Sequence, residues 1–475
     1  MNPYLPHWEY VPDGEPHVFD GRLYVFGSHD RFNGKSYCEK DYVVWSAPVD
    51  DLSQWRCEGV SFRREQEPKC KGITAQLWAP DVCRGPDGKF YMYYSAAFAN
   101  WIGVARADRP AGPYEYLGKL RYPDGTRYGK KKGDLPFDPG VFVDDDGKVW
   151  LYTGFATPSK KFQWMLRCVY GLHVTGKCSF VMELEPDMVT VRSHKPCLPG
   201  PLASEGTGFE GHAFFEASSM RKLNGKYYYF YSTQKSHELG WAVSDHPDKG
   251  FVFGGILHSN GNIGFGGNAE PEYPWGNNHG AVERVNGEYY VFGHRQTNYS
   301  ECSRQGVAER IHMDAQGRFC QAEMTSLGLR TEPFRASGCY PASMACMLLG
   351  KSGTKKITLL HRQKDHPMIT QDLPDGNPSA RQYICNLCDG AVVGYKYFTF
   401  TGACRFSLYL RNTQAGQIAV FQEKRKEPVA VLDIPQTAGW TSVETVVPFA
   451  KGLYPLYLEY RGGGRADLME FGFAE

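Results

Sequence analysis

Residues 225–232 read GKYYYFYS, and four near-copies of this phrase are spread over the first two-thirds of the chain. Each copy begins with glycine and continues with a run of aromatic and aliphatic residues. The other copies are GRLYVFGS at 21–28, GKFYMYYS at 88–95, GKVWLYTG at 147–154 and GEYYVFGH at 287–294. An Asp-Gly or Asn-Gly pair opens every copy, which is a strong β-hairpin signal. The phrase therefore predicts one antiparallel sheet for each copy.

The repeat also predicts the overall architecture. A strand, a hairpin and further strands are typical of one blade of a β-propeller, so five copies predict five blades. Helical periodicity is weak, and 53 glycines and 30 prolines interrupt most candidate helices. We expect an all-β chain with a five-bladed β-propeller over 1–325, a connector over 326–355 and a β-sandwich over 356–475. An array of β-sandwiches is the alternative fold. Such an array would not need the same aromatic phrase to recur, so the recurrence favours the propeller.

Charge and composition exclude several kinds of partner. The formal net charge is +1, which argues against a nucleic-acid backbone or an anionic membrane surface. Aromatic residues make up 14% of the chain, which suits a β core and also the stacking of rings on sugars. Polar, neutral ligands, sugars among them, fit this composition better than charged polymers. No apolar run reaches about 18 residues, so no membrane span is expected.

The N-terminus and the cysteines predict a cytoplasmic protein. The opening residues, MNPYLPHWEYVPDG, lack the basic and apolar regions of a secretory signal. The 14 cysteines are therefore expected to be free thiols. Cys385 and Cys388 form a C-x-x-C pair, but a second pair at a spacing suited to zinc is not evident.

Three acidic residues lie at equivalent positions before three of the repeated phrases. Asp13 lies eight residues before its phrase, and Asp138 and Glu216 each lie nine residues before theirs. The first strands of propeller blades converge on a central channel, so these carboxyl groups are expected to meet there. Hydrolysis of a glycosidic bond needs a carboxylic acid and a carboxylate. Asp81, seven residues before its phrase, is expected to be a structural neighbour.

Four segments resemble glycoside hydrolase family 43. They are WAPDV at 78–82, FDPGVFVDDDGKVWLYTG at 137–154, FFEASSMRKLNGKYYYFYS at 214–232 and NNHGAVERVNGEYYVFGHR at 277–295. The resemblance covers about residues 8–325. It implies a five-bladed propeller and an inverting mechanism that uses an Asp base, an Asp that tunes the acid, and a Glu acid.

Carried over by motif, the resemblance assigns a role to each of the three carboxyl groups. Asp13 matches the general base, Asp138 the residue that modulates the pKa of the acid, and Glu216 the general acid. The family usually has Asp-Pro at the base, whereas Gly14 follows Asp13 here, and Glu15 is the residue that precedes a proline. The number of residues between the acid and the repeated phrase favours Asp13 over Glu15 as the general base.

Two further glutamates precede Glu216 closely, and they are the alternatives for the general acid. They are Glu205 and Glu210, of which Glu210, in GFEGH, is the second candidate. If Glu216 is the acid, burial and the charge of Asp138 should raise its pKa. Inversion predicts a gap of roughly 6.5–9.5 Å between the base and acid carboxylates.

The resemblance also implies residues that bind the substrate and a metal. Trp78 is expected to form one wall of the sugar pocket, with a place in the core as the alternative. Arg295 is expected to donate hydrogen bonds to sugar hydroxyls. His279 resembles a central histidine of the family that lies near a bound calcium ion or water, with a satisfied buried histidine as the alternative. No cofactor is expected to be required, and a structural Ca²⁺ at the propeller centre is a possibility.

The C-terminal region resembles a carbohydrate-binding module of family 6 over about residues 390–475. The segments GWTSVETVVPF at 439–449 and GLYPLYLEYRGGGRADLMEFGF at 452–473 carry this resemblance. Trp440 is a candidate for stacking on a sugar. The alternative is a sandwich that only packs against the propeller and braces its pocket.

Together these observations predict an exo-acting hydrolase of pentose-containing plant oligosaccharides. An inverting α-L-arabinofuranosidase is the first hypothesis and a β-xylosidase the second. A non-catalytic sugar-binding propeller is a third hypothesis, and it requires that the three acids do not converge. A phosphorylase should place a cluster of Arg or Lys near the base, and none flanks Asp13 in the sequence.

Overall fold

The computed structural model describes residues 1–68, 76–131, 136–358, 365–424 and 426–474. In these ranges almost all of the regular secondary structure is β-strand, so the predicted all-β class is confirmed. None of the described helices is long and apolar enough to cross a membrane.

Five antiparallel sheets follow one another along the first part of the described chain, with their strands in chain order. The first sheet contains β1–β4 and the second β5–β8: Glu15–Phe19, Arg22–Phe26, Tyr42–Pro48, Arg56–Phe62, Leu77–Arg84, Phe90–Ala96, Gly103–Ala107 and Glu115–Lys119. The third contains β9–β12 and the fourth β13–β16: Gly140–Val143, Val149–Thr153, Cys178–Leu184, Val191–Pro199, Phe214–Leu223, Lys226–Thr233, Glu238–Ser244 and Val252–Ser259. The fifth contains β17–β19: Val282–Val285, Glu288–Thr297 and Ser300–Ile311.

The repeated phrase forms the second strand of every one of these sheets. Its glycine turns the chain from the first strand into the second, and Gly225 does so at φ +79°. A side chain is strained in this left-handed region, whereas glycine is not. Asn224 precedes it at φ +51°, so the pair forms the turn expected between the strands of a tight hairpin.

The five sheets close into a ring. Apolar cores lie between each sheet and the next along the chain. A further core closes the ring, because it joins Val25 of the first sheet to Phe292 of the fifth. The first strands lie inside: β1 contacts β5 and β17, and β9 contacts β5 and β13. A backbone bridge between Gly14 and Gly280 joins the two ends of the inner layer.

A helix, α1 (Lys160–Tyr170), interrupts the third sheet between β10 and β11. Ser159 caps its N-terminus by accepting a hydrogen bond from the backbone N–H of Phe162, and Gly171 ends it in the left-handed conformation at φ +67°. Short 3₁₀ turns lie at Arg64–Gln66, Pro201–Ala203, Phe265–Gly267 and Ala342–Met344. The sequence analysis did not predict α1, although its capping residues are typical helix boundaries.

The remainder of the described chain forms two six-stranded sheets that share one apolar core. Their strands, β20–β31 in chain order, are Phe334–Arg335, Gly338–Pro341, Met347–Leu349, Met368–Gln371, Gln382–Leu387, Val392–Phe400, Cys404–Asn412, Gly416–Phe421, Ala430–Ile434, Thr441–Val447, Gly452–Arg461 and Ala466–Ala474. The first sheet has the order β20-β25-β30-β27-β28, with β22 beside β25. The second sheet has the order β23-β24-β31-β26-β29, with β21 beside β31.

The segment 326–355 is not the simple connector that the sequence suggested. Its strands β20 and β22 pair with β25, and β21 pairs with β31. These strands are two to four residues long, too short to carry a readable hydrophobic pattern. Residues 359–364, near the start of the predicted β-sandwich, lie outside the described part of the chain.

The thirteen cysteines among the described residues are free thiols, as predicted, and Cys70 lies outside these residues. In the described part of the chain, neither Cys385 nor Cys388 belongs to a group of three or more side chains close enough to hold one metal ion.

Candidate active site

The three acids chosen from the sequence lie at the inner strands of three different sheets. Asp13 precedes β1, Asp138 precedes β9, and Glu216 lies near the start of β13. All three line one cavity of about 670 Å³. These residues are far apart in sequence. They come together because the inner strands of the ring all start on the same side of the ring.

The backbone at these positions is bent into conformations that non-glycine residues seldom adopt. Asp13 has φ +55° and Asp138 φ +43°, and Ala217 next to Glu216 has φ +64°. Each left-handed residue costs about 1–2 kcal/mol. The pairing of β13 with β14 also shifts register between Glu216 and Ser219, and such a bulge redirects side chains. The strained backbone therefore lowers the stability of the fold, and it directs these carboxyl groups into the cavity.

Asp13 is held by a buried arginine and a buried histidine. Nη1 of Arg304 donates to Oδ1 of Asp13 at 2.8 Å. The remaining guanidinium nitrogens are fixed by Asp30, at 2.9 Å from Nε and 3.1 Å from Nη2. The backbone N–H of Asp13 donates to Nδ1 of His294 at 3.3 Å, and Nε2 of His294 donates to the carbonyl of Asn277 at 2.7 Å. The carboxylate thus has one orientation and a permanent cation beside it.

These contacts keep Asp13 ionised. Burial opposes its charge, but Arg304, His294 and His279 outweigh burial and lower its pKa to about 2. His294 is neutral, because burial, followed by the charge of Arg304, lowers its pKa to about 3. At neutral pH Asp13 is therefore a carboxylate that can accept a proton from a water molecule.

Glu216 has the opposite electrostatic environment. Burial, followed by the charge of Asp138, raises its pKa to about 8. Burial also raises the pKa of Asp138. The Oδ2 atom of Asp138 lies 3.4 Å from Nδ1 of His279. The pKa of His279 is raised to about 9, because the hydrogen bond and charge of Asp138 outweigh burial. At neutral pH Glu216 is a protonated carboxylic acid that can donate a proton.

Trp78 and His279 line the same cavity as the three acids. The Trp78 ring contacts Phe98 and Phe137, each at a centroid distance of 5.7 Å, and remains partly exposed. Nδ1 of His279 lies 3.4 Å from Oδ2 of Asp138. Among the described residues, His279 does not belong to a group of three or more side chains whose ligand atoms lie close enough together to hold one metal ion.

Arg295, which was expected to bind sugar hydroxyls, does not line the cavity. It is 1% exposed, and its guanidinium donates to the carbonyl of Ser343 at 2.8 Å and to Oε1 of Gln305 at 2.9 Å. Successive side chains on a strand point to opposite faces, so His294 reaches Asp13 while Arg295 points the other way. The prediction is corrected: Arg295 ties the ring to the chain that enters the two six-stranded sheets.

Arg304, which was not predicted from the sequence, is the arginine that lines the cavity. It lies on β19 opposite Gln296 of β18, and its side chain lines the cavity at 2% exposure. The run CSRQG around it carries no motif. The alternation of side chains along β19 was the available signal, but it requires the strand register, which a single sequence does not provide.

The competing acids lie elsewhere. Glu210 is exposed on a turn, where Oε1 accepts from the backbone N–H of Thr207 at 3.1 Å. Glu205 is exposed on the same segment. Glu15 is buried and accepts from Arg221 at 2.9 Å and from Ser219 at 2.8 Å, outside the cavity lining. The position of each residue therefore favours Asp13 over Glu15 and Glu216 over Glu210.

Asp81 belongs to a second buried cluster near the inner strands. Its carboxylate lies 2.6 Å from Nε2 of His17 and accepts from the backbone N–H of Val141 at 2.6 Å. Glu15, His17 and Asp81 bring possible metal-ligand atoms within 4.8 Å of one another. Arg221 already supplies a positive charge to this cluster through Glu15. Asp81 therefore lies outside the cavity lining, in a cluster of its own.

About two-thirds of the chain matches a known protein family. The model of glycosyl hydrolases family 43 matches residues 12–319, which include all three acids and His279. The chain belongs to glycosyl hydrolases family 43. This family 43 member is therefore a glycoside hydrolase, and the match covers the ring of five sheets.

Relatives of this family 43 enzyme carry related activities in their names. A xylosidase/arabinosidase of Thermoclostridium stercorarium is 42% identical over 478 residues, which is 99% of this chain and 98% of the relative. A β-xylosidase of Xylanibacter ruminicola is 30% identical over 339 residues, or 65% of this chain and 95% of the relative.

Among solved structures, a family 43 β-xylosidase/α-arabinofuranosidase from a compost microbial metagenome is 26% identical, with a TM-score of 0.53. The match covers 68% of this chain and 96% of that one, which was solved with xylotriose in a calcium-free form. An arabinoxylan arabinofuranohydrolase of Bacillus subtilis covers 100% of this chain at 24% identity and a TM-score of 0.51, which shows a common fold.

Proposed function

We propose that this enzyme releases terminal L-arabinofuranose from arabinoxylan-derived oligosaccharides with inversion of configuration. One observation carries the proposal: a single cavity holds two carboxyl groups whose pKa values lie on opposite sides of neutrality. Asp13 has a pKa of about 2 and Glu216 of about 8. A pair of this kind supplies the base and the acid that glycoside hydrolysis requires.

Each residue has a role that follows from its surroundings. Asp13 removes a proton from the attacking water, Glu216 protonates the oxygen of the leaving group, and Asp138 holds the pKa of Glu216 high through its charge. His279 bonds to Asp138 and balances its charge. Arg304 keeps Asp13 ionised and correctly oriented. A non-catalytic sugar-binding protein has no need for this division between two protonation states.

Cleavage of terminal β-xylose is the second candidate. The relative that aligns over almost the whole chain is named a xylosidase/arabinosidase, and another is named a β-xylosidase. Both sugars are pentoses with similar hydroxyl patterns. We place arabinofuranose first because two further relatives, from Paenibacillus polymyxa and Bacillus subtilis, are named arabinoxylan arabinofuranohydrolases and align over 98% and 96% of this chain.

We further propose that the ring of five sheets is the five-bladed propeller expected from the repeat, and that the two six-stranded sheets are a β-sandwich. A likeness of this sandwich to family 6 carbohydrate-binding modules stays a prediction. The Trp440 ring packs against Tyr383 and Tyr409, and the guanidinium of Arg411 lies 4.7 Å above it. One face of the Trp440 ring is thus covered, and these neighbours all belong to one sheet of the sandwich.

Catalysis is proposed to need no metal, because His279 and Arg304 already supply positive charge beside the carboxylates. Treatment with EDTA followed by gel filtration should leave kcat on a pentoside unchanged. Loss of activity that added Ca²⁺ restores would show instead that an ion is part of the site.

Parallel assays of nitrophenyl α-L-arabinofuranoside and nitrophenyl β-D-xyloside test the function. The wild type should hydrolyse the arabinofuranoside with the larger kcat/KM, and Asp13→Ala should abolish most of the turnover. Glu210→Ala is the matched control, because this glutamate is exposed and outside the cavity. Full activity of Asp13→Ala would refute the proposed mechanism, and a larger kcat/KM on the xyloside would favour the second candidate.

A further inference from the structure

The cavity that holds the three acids has a deep end and a mouth, which differ in the exposure of their side chains. Asp13 and Asp138 are each 5% exposed, whereas Phe98 and Tyr170, in the lining of the same cavity, are 40% and 39% exposed. The cavity volume is about 670 Å³. Pockets of about 300–1,000 Å³ bury most of a drug-sized ligand. A terminal pentose bound between Asp13 and Glu216 therefore leaves room at the mouth for the group to which it is attached.

Two aromatic rings stack on each other at this mouth. The centroids of the Phe98 and Tyr170 rings are 4.0 Å apart, and the angle between the ring planes is 10°. Tyr170 is the last residue of α1, whereas Phe98 follows β6 in the second sheet. The helix inserted into the third sheet thus contacts the neighbouring sheet through this pair. The two rings are called the mouth platform below.

Further ring contacts connect the mouth platform to the acids. The centroid of the Phe98 ring lies 5.7 Å from that of Trp78, and Trp78 lies 5.7 Å from Phe137, which precedes Asp138. All of these side chains line the cavity. The mouth platform is therefore the outer end of the wall that begins beside the acids. A group that is attached to a bound pentose and leaves the cavity along this wall contacts the mouth platform.

Hydrogen-bonding groups lie among these rings in the cavity lining. They include the side chains of Asn100, His173 and Lys356 and the hydroxyl of Tyr170. Oδ1 of Asn100 accepts a hydrogen bond from Nη2 of Arg127 at 2.7 Å, which leaves the amide nitrogen to donate. His173 is exposed in the segment after α1, and the nitrogens of its ring can donate or accept. The mouth therefore combines aromatic surface with several hydrogen-bonding groups.

This combination decides which kind of group the mouth fits. An alkyl or aryl group would cover the rings, but it would displace water from the amide, imidazole and ammonium groups without replacing the lost hydrogen bonds. A sugar residue matches both kinds of surface. Its C–H groups pack against aromatic rings, whose faces carry partial negative charge, and its hydroxyl groups donate and accept hydrogen bonds.

We propose that the mouth platform binds the sugar to which the released pentose is attached, and that Asn100 and His173 exchange hydrogen bonds with the hydroxyl groups of that sugar. This inference rests on the proposed function, because it places the pentose between Asp13 and Glu216. It adds a specificity to that function: contacts with the second sugar make the enzyme select an oligosaccharide over a simple pentoside. Binding energy from a part of the substrate that does not react then lowers the barrier to cleavage.

The test compares two substrates that release the same pentose. One is the methyl glycoside of that pentose, which has no second sugar, and the other carries the pentose on xylotriose. We would measure kcat/KM of the full-length protein on both, and the ratio of the xylotriose-linked value to the methyl value is the selectivity. Each variant is compared with the wild type on the same pair of substrates, so the different acidities of the two leaving groups cancel.

Variants of Tyr170 test the mouth platform. Tyr170→Ala should lower the selectivity by at least about threefold through kcat/KM on the xylotriose-linked substrate, with little change on the methyl glycoside. Tyr170→Phe keeps the ring and should retain most of the selectivity. Trp164→Ala is the matched control, because Trp164 lies on the same helix, is 66% exposed and is absent from the cavity lining. It should retain the wild-type selectivity.

A variant of His173 tests the hydrogen bonds. His173→Ala should lower the selectivity by at least about twofold, because it removes a partner of the sugar hydroxyls. Thermal unfolding and circular dichroism would identify any variant that fails to fold. Tyr170→Leu, which keeps apolar bulk without an aromatic face, would replace Tyr170→Ala in that case.

The outcomes separate this inference from the function on which it rests. An unchanged selectivity in the folded Tyr170 variant would overturn the inference, and so would equal losses on both substrates. In either case, hydrolysis of the methyl pentoside that depends on Asp13 would leave the proposed function standing. An unchanged selectivity in His173→Ala would overturn the hydrogen bond assigned to His173. An absence of pentoside hydrolysis in the wild type would overturn both the inference and the function.

Discussion

Asp13 and Glu216 are two carboxyl groups that the same cavity holds in opposite charge states. Arg304 stands beside Asp13, whereas Asp138 stands near Glu216, and this difference sets their protonation at neutral pH. The chemistry of the site therefore depends on neighbours as much as on the carboxyl groups themselves. Three predictions follow from these neighbours.

The first concerns Asp138, whose charge raises the pKa of Glu216. The acid acts only while it is protonated, so kcat/KM should fall as the pH rises past a pKa of about 8. Asp138→Asn removes the charge, lowers the pKa of Glu216 and should move the basic limb of the pH profile to lower pH. A basic limb that stays in place or moves to higher pH would contradict this role.

The second distinguishes the acid from the base through the leaving group. Glu216→Ala should lower kcat/KM on an alkyl pentoside by about 10²–10⁴-fold, and much less on a nitrophenyl pentoside, whose leaving group needs no proton. Asp13→Ala should reduce both by similar factors, because water attack is needed in either case. Equal losses for Glu216→Ala on both substrates would show that Glu216 is not the acid.

The third concerns Arg304. Loss of its positive charge should raise the pKa of Asp13, and the base acts only when it is ionised. The acidic limb of the kcat/KM profile should therefore move to higher pH in Arg304→Gln. A comparison with Arg295→Gln, measured in the same way, provides the control, because Arg295 lies outside the cavity. An acidic limb that does not move in the folded Arg304→Gln variant would count against this role.

The sequence predicted the three acids that line the cavity but not the arginine that lines it beside them. The offsets of Asp13, Asp138 and Glu216 from the repeated phrase follow from the ring, since equivalent positions of its sheets lie side by side. Arg295 lies on β18 outside the cavity lining, whereas Arg304 reaches Asp13 from the neighbouring strand β19. Distinguishing them requires the facing direction of each strand, which depends on register and on neighbouring sheets.

At the scale of the elements, tight hairpins define the five sheets. Gly225 adopts φ +79°, and an added Cβ would meet no neighbour within 4 Å, so only backbone strain opposes a side chain there. Gly225→Ala should lower the free energy of unfolding by about 1–2 kcal/mol. Urea titration followed by fluorescence would measure this change.

Gly118→Ala is the matched control for this measurement. Gly118 on β8 also has open space around the added Cβ, and its φ is not in the left-handed region. This variant should be neutral or slightly stabilising, because alanine lowers the entropy of the unfolded chain. An equal loss of stability in both variants would show that strain at the hairpin is not the cause.

The elements also show where sequence patterns fail. The repeated phrase predicted the second strand of every sheet in the ring, because buried aromatic strands and Gly turns are local properties. Helix α1 was not predicted, since it is a single insertion without a counterpart in the other sheets. The strands β20–β22 were missed because their partners, β25 and β31, lie more than about 40 residues further along the chain.

At the scale of the whole molecule, the two six-stranded sheets support the wall of the cavity. Asp375, in the loop after β23, accepts from the backbone N–H of Phe32 at 2.8 Å and lies 3.3 Å from Nζ of Lys40. Between these two residues, Tyr37 and Cys38 line the cavity. A loop of the two six-stranded sheets therefore holds a segment of the ring that lines the cavity.

This contact yields a prediction for substrate binding. Asp375→Ala should loosen the segment that carries Tyr37 and raise KM at least threefold, with a smaller change in kcat, because Asp13 and Glu216 keep their own contacts. Asp365→Ala is the control, since Asp365 pairs with Arg465 within the region of the two six-stranded sheets. An unchanged KM in Asp375→Ala would mean that these sheets do not brace the cavity.

Closure of the ring is the property that no local pattern reveals. The repeat indicates how many sheets to expect, but the meeting of Asp13, Asp138 and Glu216 depends on the core that joins the first sheet to the fifth. The position of the cavity is therefore a consequence of the whole ring.

The stereochemistry of the first product tests the central claim most directly. Proton NMR recorded during the first turnovers of an α-L-arabinofuranoside, before mutarotation, should show the β-anomer, because a water activated by Asp13 attacks from the face opposite Glu216. Initial formation of the α-anomer would contradict the assignment of Asp13 as base and Glu216 as acid.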